Sequence, residues 1–139
     1  MARILNKELS YKIIGAIYNT RKIYGPNQKE IVYQKGLSEE LEASNISYKR
    51  EVNINILSPK TGKILGNYRI DFVIDDKVIL ELKSLNFTPR KIEQQLYSYL
   101  RSTPYELGYL INMGSTDIYI KRVIFTNDRK PYLHLSNIR

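Results

Sequence analysis

Cysteine is absent from the 139 residues, which excludes disulfides, thiolate nucleophiles, thiolate zinc sites and iron–sulfur clusters. Histidine is nearly absent too: His134, close to the C-terminus, stands alone. A Ser-His-Asp triad or a multi-histidine zinc site is therefore not expected, and any metal chemistry falls to carboxylate oxygens and hard cations. His134 itself is expected to be incidental. No apolar run of roughly 18 residues occurs, so no membrane partner is expected. The opening MARILNKELSYKIIGAIYN lacks the layout of a signal peptide, and the cytoplasm is the expected location.

What is present supports a folded unit. Hydrophobic residues make up 42% and charged residues 26% of the chain, enough for a buried core and inconsistent with a disordered polymer. The length suits a single domain, expected over residues 1–126 with a short C-terminal tail at 127–139. Lys plus Arg exceed Asp plus Glu by 22 to 14, a net charge of +8 that favours a polyanionic partner.

Periodicity places the elements. Ile4, Leu5, Leu9, Ile13, Ile14, Ile17 and Tyr18 recur at helical spacing, predicting a helix over 7–23. After the turn Tyr24-Gly25-Pro26-Asn27, the residues Val32, Tyr33, Leu37 and Leu41 predict a second helix over 29–44. From Tyr48 the period drops to two, with Val52, Ile54 and Ile56 alternating with Glu51, Asn53 and Asn55. The turn at 58–63 leads into a second strand at 64–74, bulged near Gly66, and Asp75-Asp76-Lys77 leads into a third at 78–83. Thr88 as N-cap and Pro89 in the first turn open a third helix reaching about Ser102, and strands follow at 107–113 and 118–125. The tail could form a last short strand through Tyr132, Leu133 and Leu135, or a loosely held end. The fold class is α/β in the broad sense, a mixed α+β architecture with helices flanking one sheet.

The local signal for chemistry is Asp71 followed by Glu81-Leu82-Lys83. Glu81 and Lys83 share a strand face. If Ile74 pairs with Val78 across the turn, Val73 meets Ile79, Phe72 meets Leu80, and Asp71 falls opposite Glu81. Two carboxylates so placed repel each other, and a divalent cation converts that repulsion into binding. Alone, the pattern fits better a solvated face, or a Lys83 that simply neutralises the acids. The setting VILELKSL argues for a strand covered on both faces, where a charge needs a partner or a metal.

Asp71, Glu81 and Lys83 on a hairpin, followed by Gln95-Leu96-Tyr97-Ser98-Tyr99, resemble the PD-(D/E)xK nuclease superfamily, including the Q-x-x-x-Y element of its RecB-like branch. The stretch from Gly25 through Glu30 to Tyr33 resembles the signature of the GxxExxY protein family within it, as do Tyr68–Val73 and Leu110–Ser115. Asn27 stands where the signature has its first glycine, and Ile70 where the superfamily name has proline. The similarity covers roughly residues 8–125, and blocks in the right order are more specific than any one alone.

The resemblance implies a restriction-endonuclease-like αβββαβ core and phosphodiester hydrolysis with Mg2+ or Mn2+. Asp71, Glu81, the backbone carbonyl of Leu82 and Glu30 would hold the metal; Asp71, Glu81, Lys83, Glu30 and Gln95 would form the catalytic set. Arg69, Tyr99, Arg90 and Lys91 are candidates for contact with nucleic acid, whether DNA or RNA, with Lys29, Arg101, Lys121 and Arg122 as a wider basic footprint. Tyr33 and Tyr99 are each also read as packing residues. Glu30 could equally be a helix-N-terminal acid. Specificity could come from a homodimer or a protein partner. Two other readings of the same fold are a non-catalytic nucleic-acid-binding module and a protein–protein adaptor.

Overall fold

In the computed structural model, which describes residues 5–130, the first helix, α1, runs Lys7–Tyr24 and buries Ser10, Ile13, Ala16, Ile17 and Thr20 on one face. That spacing of three and four residues is what puts them side by side. Gly25, at φ 70°, ends the helix, its N–H donating to the Arg21 carbonyl. Helix α2, Glu30–Ala43, buries Tyr33, Leu37 and Leu41. It lies close to α1 at Gly36, where a Cβ would come within 2.6 Å of Tyr24 Cε2.

Five strands follow the expected order: β1 Tyr48–Leu57, β2 Ile64–Ile74, β3 Val78–Lys83, β4 Leu107–Asn112 and β5 Tyr119–Ile124. They form one sheet in the order β1-β2-β3-β4-β5, antiparallel except for the parallel pair β3–β4. That parallel step needs a crossover, which helix α3, Arg90–Arg101, provides. The irregularity expected near Gly66 is present: Ile56 pairs with Gly66 and Leu57 with Ile64, leaving Leu65 unpaired. Pro89, not Thr88, is the N-cap of α3. The Thr88 hydroxyl is engaged elsewhere, accepting from Asn112 Nδ2 at 2.9 Å.

The sheet separates two apolar layers. Phe72, Ile74, Leu80, Leu82 and Ile111 pack with Ile13, Ile17, Leu37 and Leu41 of α1 and α2. Val73, Ile79 and Leu110 pack with Leu96, Tyr99 and Leu100 of α3. Strict alternation would send Ile70 and Tyr68 to the same side as Phe72. Instead they join the α3 layer, together with Val52 and Ile54 opposite them. The change of side falls at Asp71 and at Glu51, which lies between the pairs Arg50–Phe72 and Val52–Ile70 and has φ 52°. A left-handed residue inside a strand turns the hairpin, so Asp71 sits at a bend rather than in a straight ladder.

The described part of the tail is anchored. A short 3-10 turn, Asn127–Arg129, is followed by Lys130, only 4% exposed, whose ammonium donates to the carbonyls of Thr103 and Tyr105 and to Asn127 Oδ1. Burial lowers its pKa to about 8. Ile4, His134 and the tail residues Tyr132, Leu133 and Leu135 lie outside the described residues. Among the described residues, no helix is long and apolar enough to cross a membrane.

Candidate active site

The register expected for the β2–β3 hairpin is the one observed: Ile74 with Val78, Val73 with Ile79, and Phe72 with Leu80. One pair further, the ladder stops and side chains take over from backbone. The Leu82 N–H donates to Asp71 Oδ2 at 2.8 Å, and the Asp71 N–H donates to Glu81 Oε1 at 3.3 Å. Each carboxylate thus occupies a gap that a continuous ladder would close. Asp71 is 9% exposed and Glu81 4%.

Burial is the main cause of the unusual proton affinities here. Glu81 is pushed up to about 8 by desolvation and then by the Asp71 charge, with the backbone hydrogen bond and Lys83 opposing. Asp71 is raised in the same sense by desolvation, against the opposing pull of the Leu82 N–H, Lys83 and Arg69. Among the described residues neither acid has an ion-pair partner within 4 Å. The site is a buried acidic pair short of positive charge.

Glu30 stands in the first turn of α2, half-buried, its Oε2 accepting from Gln34 Nε2 at 3.1 Å. Desolvation and then the Asp71 charge raise its pKa, so it shares the field of the pair. Among the described residues no three acidic or histidine side chains converge as a ready metal cage. Lys83, half-buried at the end of β3, acts on Asp71, Glu81 and Glu30 through its charge. Leu82 is fully buried, its backbone N–H donating to Asp71.

The remaining expected residues divide. Arg69 is exposed and pairs with Glu51 Oε1 at 3.3 Å, beside Asp71. Gln95 is exposed one turn before Tyr99, and Arg90 and Lys91 are exposed at the start of α3. Tyr99 is only 6% exposed, its ring centroid 4.4 Å from that of Tyr68. So buried a ring fits the packing reading of Tyr99 better than contact with nucleic acid, because it offers little face to a ligand. It walls the site instead, its hydroxyl pushed up to about 12 by burial and the Glu81 charge. Tyr33 is fully buried, its hydroxyl donating to the Gly25 carbonyl and accepting from the Gln28 N–H, which fixes the turn before Glu30. Of the wider footprint, Lys121 pairs with Glu93 at 3.9 Å and Arg101 lies 5.3 Å from the centre of the Phe125 ring. Lys29 and Arg122 are exposed.

Three residues near the site were not anticipated. Glu51 adds a charge that raises Asp71. Gln34 joins Glu30 to Arg50, accepting from Arg50 Nη2 at 2.8 Å; its place one turn after Glu30 was a usable signal. Asn112 is fully buried, its Oδ1 accepting from the N–H groups of Leu85 and Gly114. An amide in the apolar run LGYLINM was the sequence clue.

Comparison with curated proteins finds no match. The chain is similar to a solved protein described as "Crystal structure of SSO0001", with 21% identity and a TM-score of 0.53 over 94% of this chain and 64% of that one. The likeness is one of fold, and the chain spans less than two thirds of that protein's length. A family model described as the PD-(D/E)XK nuclease superfamily matches residues 7–123, nearly the whole described domain and both of its acidic residues at the hairpin bend, and the chain belongs to that superfamily.

Proposed function

We propose that this protein is a nuclease that hydrolyses phosphodiester bonds of DNA or RNA with Mg2+ or Mn2+, acting in the cytoplasm. Within the superfamily, the signature from Gly25 to Tyr33 favours the GxxExxY family. The observation that carries the reading is the interlocked pair Asp71 and Glu81, buried where the ladder parts, with Lys83 on the same strand. A purely structural pair of buried acids would be costly to keep, since burial raises the proton affinity of both and the Asp71 charge raises that of Glu81 further.

The residues fit a hard divalent cation. The donors are all oxygen, one oxygen of each acid is held by a backbone N–H, and Asp71 Oδ1 and Glu81 Oε2 accept no hydrogen bond among the described residues. A cation there would activate a water and offset charge on the phosphate. Asp71 and Glu81 are the proposed direct ligands, the Leu82 carbonyl would be a further one, and Glu30 would act through water. The backbone N–H groups of Leu82 and Asp71 fix the orientation of the two carboxylates in advance. Lys83 would hold the attacking water or stabilise charge on the phosphoryl oxygens: the water oxygen bonds to phosphorus and releases a proton to solvent, the bond from phosphorus to the leaving oxygen breaks, and that oxygen takes a proton from solvent. Arg69, Arg90, Lys91 and Gln95, all exposed, are the proposed contacts to the phosphate backbone.

The test is hydrolysis of labelled DNA and RNA by protein stripped with a chelator. Cleavage that appears only on adding magnesium or manganese is the expected result; undiminished cleavage in excess chelator contradicts the proposal.

A further inference from the structure

Between Lys83 and helix α3, residues 84–89 carry two apolar side chains into solvent: Phe87 is 71% exposed and Leu85 37%. An isolated exposed apolar residue is ordinary. What distinguishes Phe87 is how firmly the chain on either side of it is held. The Ser84 hydroxyl donates to the Gln28 carbonyl, and the Leu85 N–H donates to Asn112 Oδ1 at 3.0 Å. On the other side, Thr88 Oγ1 accepts from Asn112 Nδ2 at 2.9 Å. Beneath the loop lies Gly114, where a Cβ would come within 2.7 Å of the Leu85 nitrogen.

Phe87 is therefore presented on a fixed support and belongs to neither apolar layer. It lies four positions after Lys83, so their Cα atoms lie no more than about 14 Å apart, within the span of a few nucleotides. Arg90 and Lys91, both exposed, follow three and four residues later. An aromatic face for a base with cations beside it for the backbone is the chemistry of single-strand binding. An intact duplex keeps its base faces stacked and offers Phe87 nothing to cover.

We infer that the substrate presents an unstacked base next to the bond to be cut, in a single strand, and that Phe87 is the platform on which that base stacks. The inference deepens the nuclease reading and rests on it for the nearby cutting site.

The test is fluorescence anisotropy in chelator, with the whole chain and labelled oligonucleotides of about 16 nucleotides: single-stranded DNA, single-stranded RNA and a blunt DNA duplex. The expected result is that Phe87→Ala binds at least one of the single strands about 10-fold more weakly, the size of one lost base stack. Duplex binding stays as in wild type, Phe87→Trp restores single-strand affinity, and melting temperature is unchanged. Equal affinity of wild type and Phe87→Ala for the single strands, an equal loss on all three ligands, or no nucleic-acid binding by wild type overturns it. A hydrolysis assay with magnesium separates the two readings. Phe87-dependent binding without cleavage sustains the stacking platform against the nuclease, while cleavage with binding indifferent to Phe87 does the reverse.

Discussion

At the scale of single residues, the acidic pair makes a prediction with a definite sign. Glu81 has an ordinary value of 4.5 and is pushed up to about 8 in the fold. Between those limits the folded chain keeps a proton that the unfolded chain has released, so this contribution to stability is complete below the lower limit and is lost as pH rises through the upper one. The metal-free protein is expected to lose melting temperature from about pH 5 to about pH 8, an effect on the order of a few kcal/mol. Glu81→Gln should remove most of that slope, and added magnesium should raise the melting temperature more at the upper pH than at the lower. A melting temperature that climbs over this range would contradict the burial argument. Lys83→Ala should leave the melting temperature nearly intact but lower hydrolysis by about 100-fold or more, since a positioned proton-transfer group commonly contributes that much. The closeness of Asp71 to Glu81 was legible because the hairpin register through Phe72 and Leu80 is simple arithmetic. The left-handed Glu51 was not, because only the three-dimensional bend reveals why a non-glycine residue sits there.

At the scale of elements, the apolar spacing was enough to place helices and strands to within a residue or two. The helix predicted over 7–23 is Lys7–Tyr24, and the strand predicted over 64–74 is Ile64–Ile74. Side-chain capping was less legible, since Thr88 could cap α3 or bond elsewhere and Asn112, distant in sequence, decides which. The three contacts of Asn112 join β4 to residues 85, 88 and 114. Asn112→Ala is expected to cost about 2–4 kcal/mol by leaving buried N–H groups unpaired, measured by denaturant unfolding. A change below about 0.5 kcal/mol would mean that the loop does not depend on this amide. Gly114→Ala should also destabilise, because the added methyl meets the backbone of Ser84 and Leu85 at 2.8 and 2.7 Å and neither can rotate away.

At the scale of the whole molecule, the net charge of +8 suits a nucleic-acid substrate but identifies no site. Some of the basic residues face acids or rings of the same chain, as Lys121 and Arg101 do. Lys130 instead ties the 3-10 turn at Asn127–Arg129 to the loop after α3, and Lys130→Met should lower stability by about 1–3 kcal/mol because the carbonyls of Thr103 and Tyr105 lose their donor. An unchanged unfolding midpoint would show that this buried ammonium is dispensable. The superfamily match supplies the fold, and catalysis is the central claim. The most direct measurement incubates plasmid, single-stranded DNA and RNA with magnesium and either wild type or an Asp71→Ala/Lys83→Ala double variant of confirmed fold. Cleavage of at least one substrate by wild type and none by the variant is the predicted result, and equal cleavage by both would contradict the site.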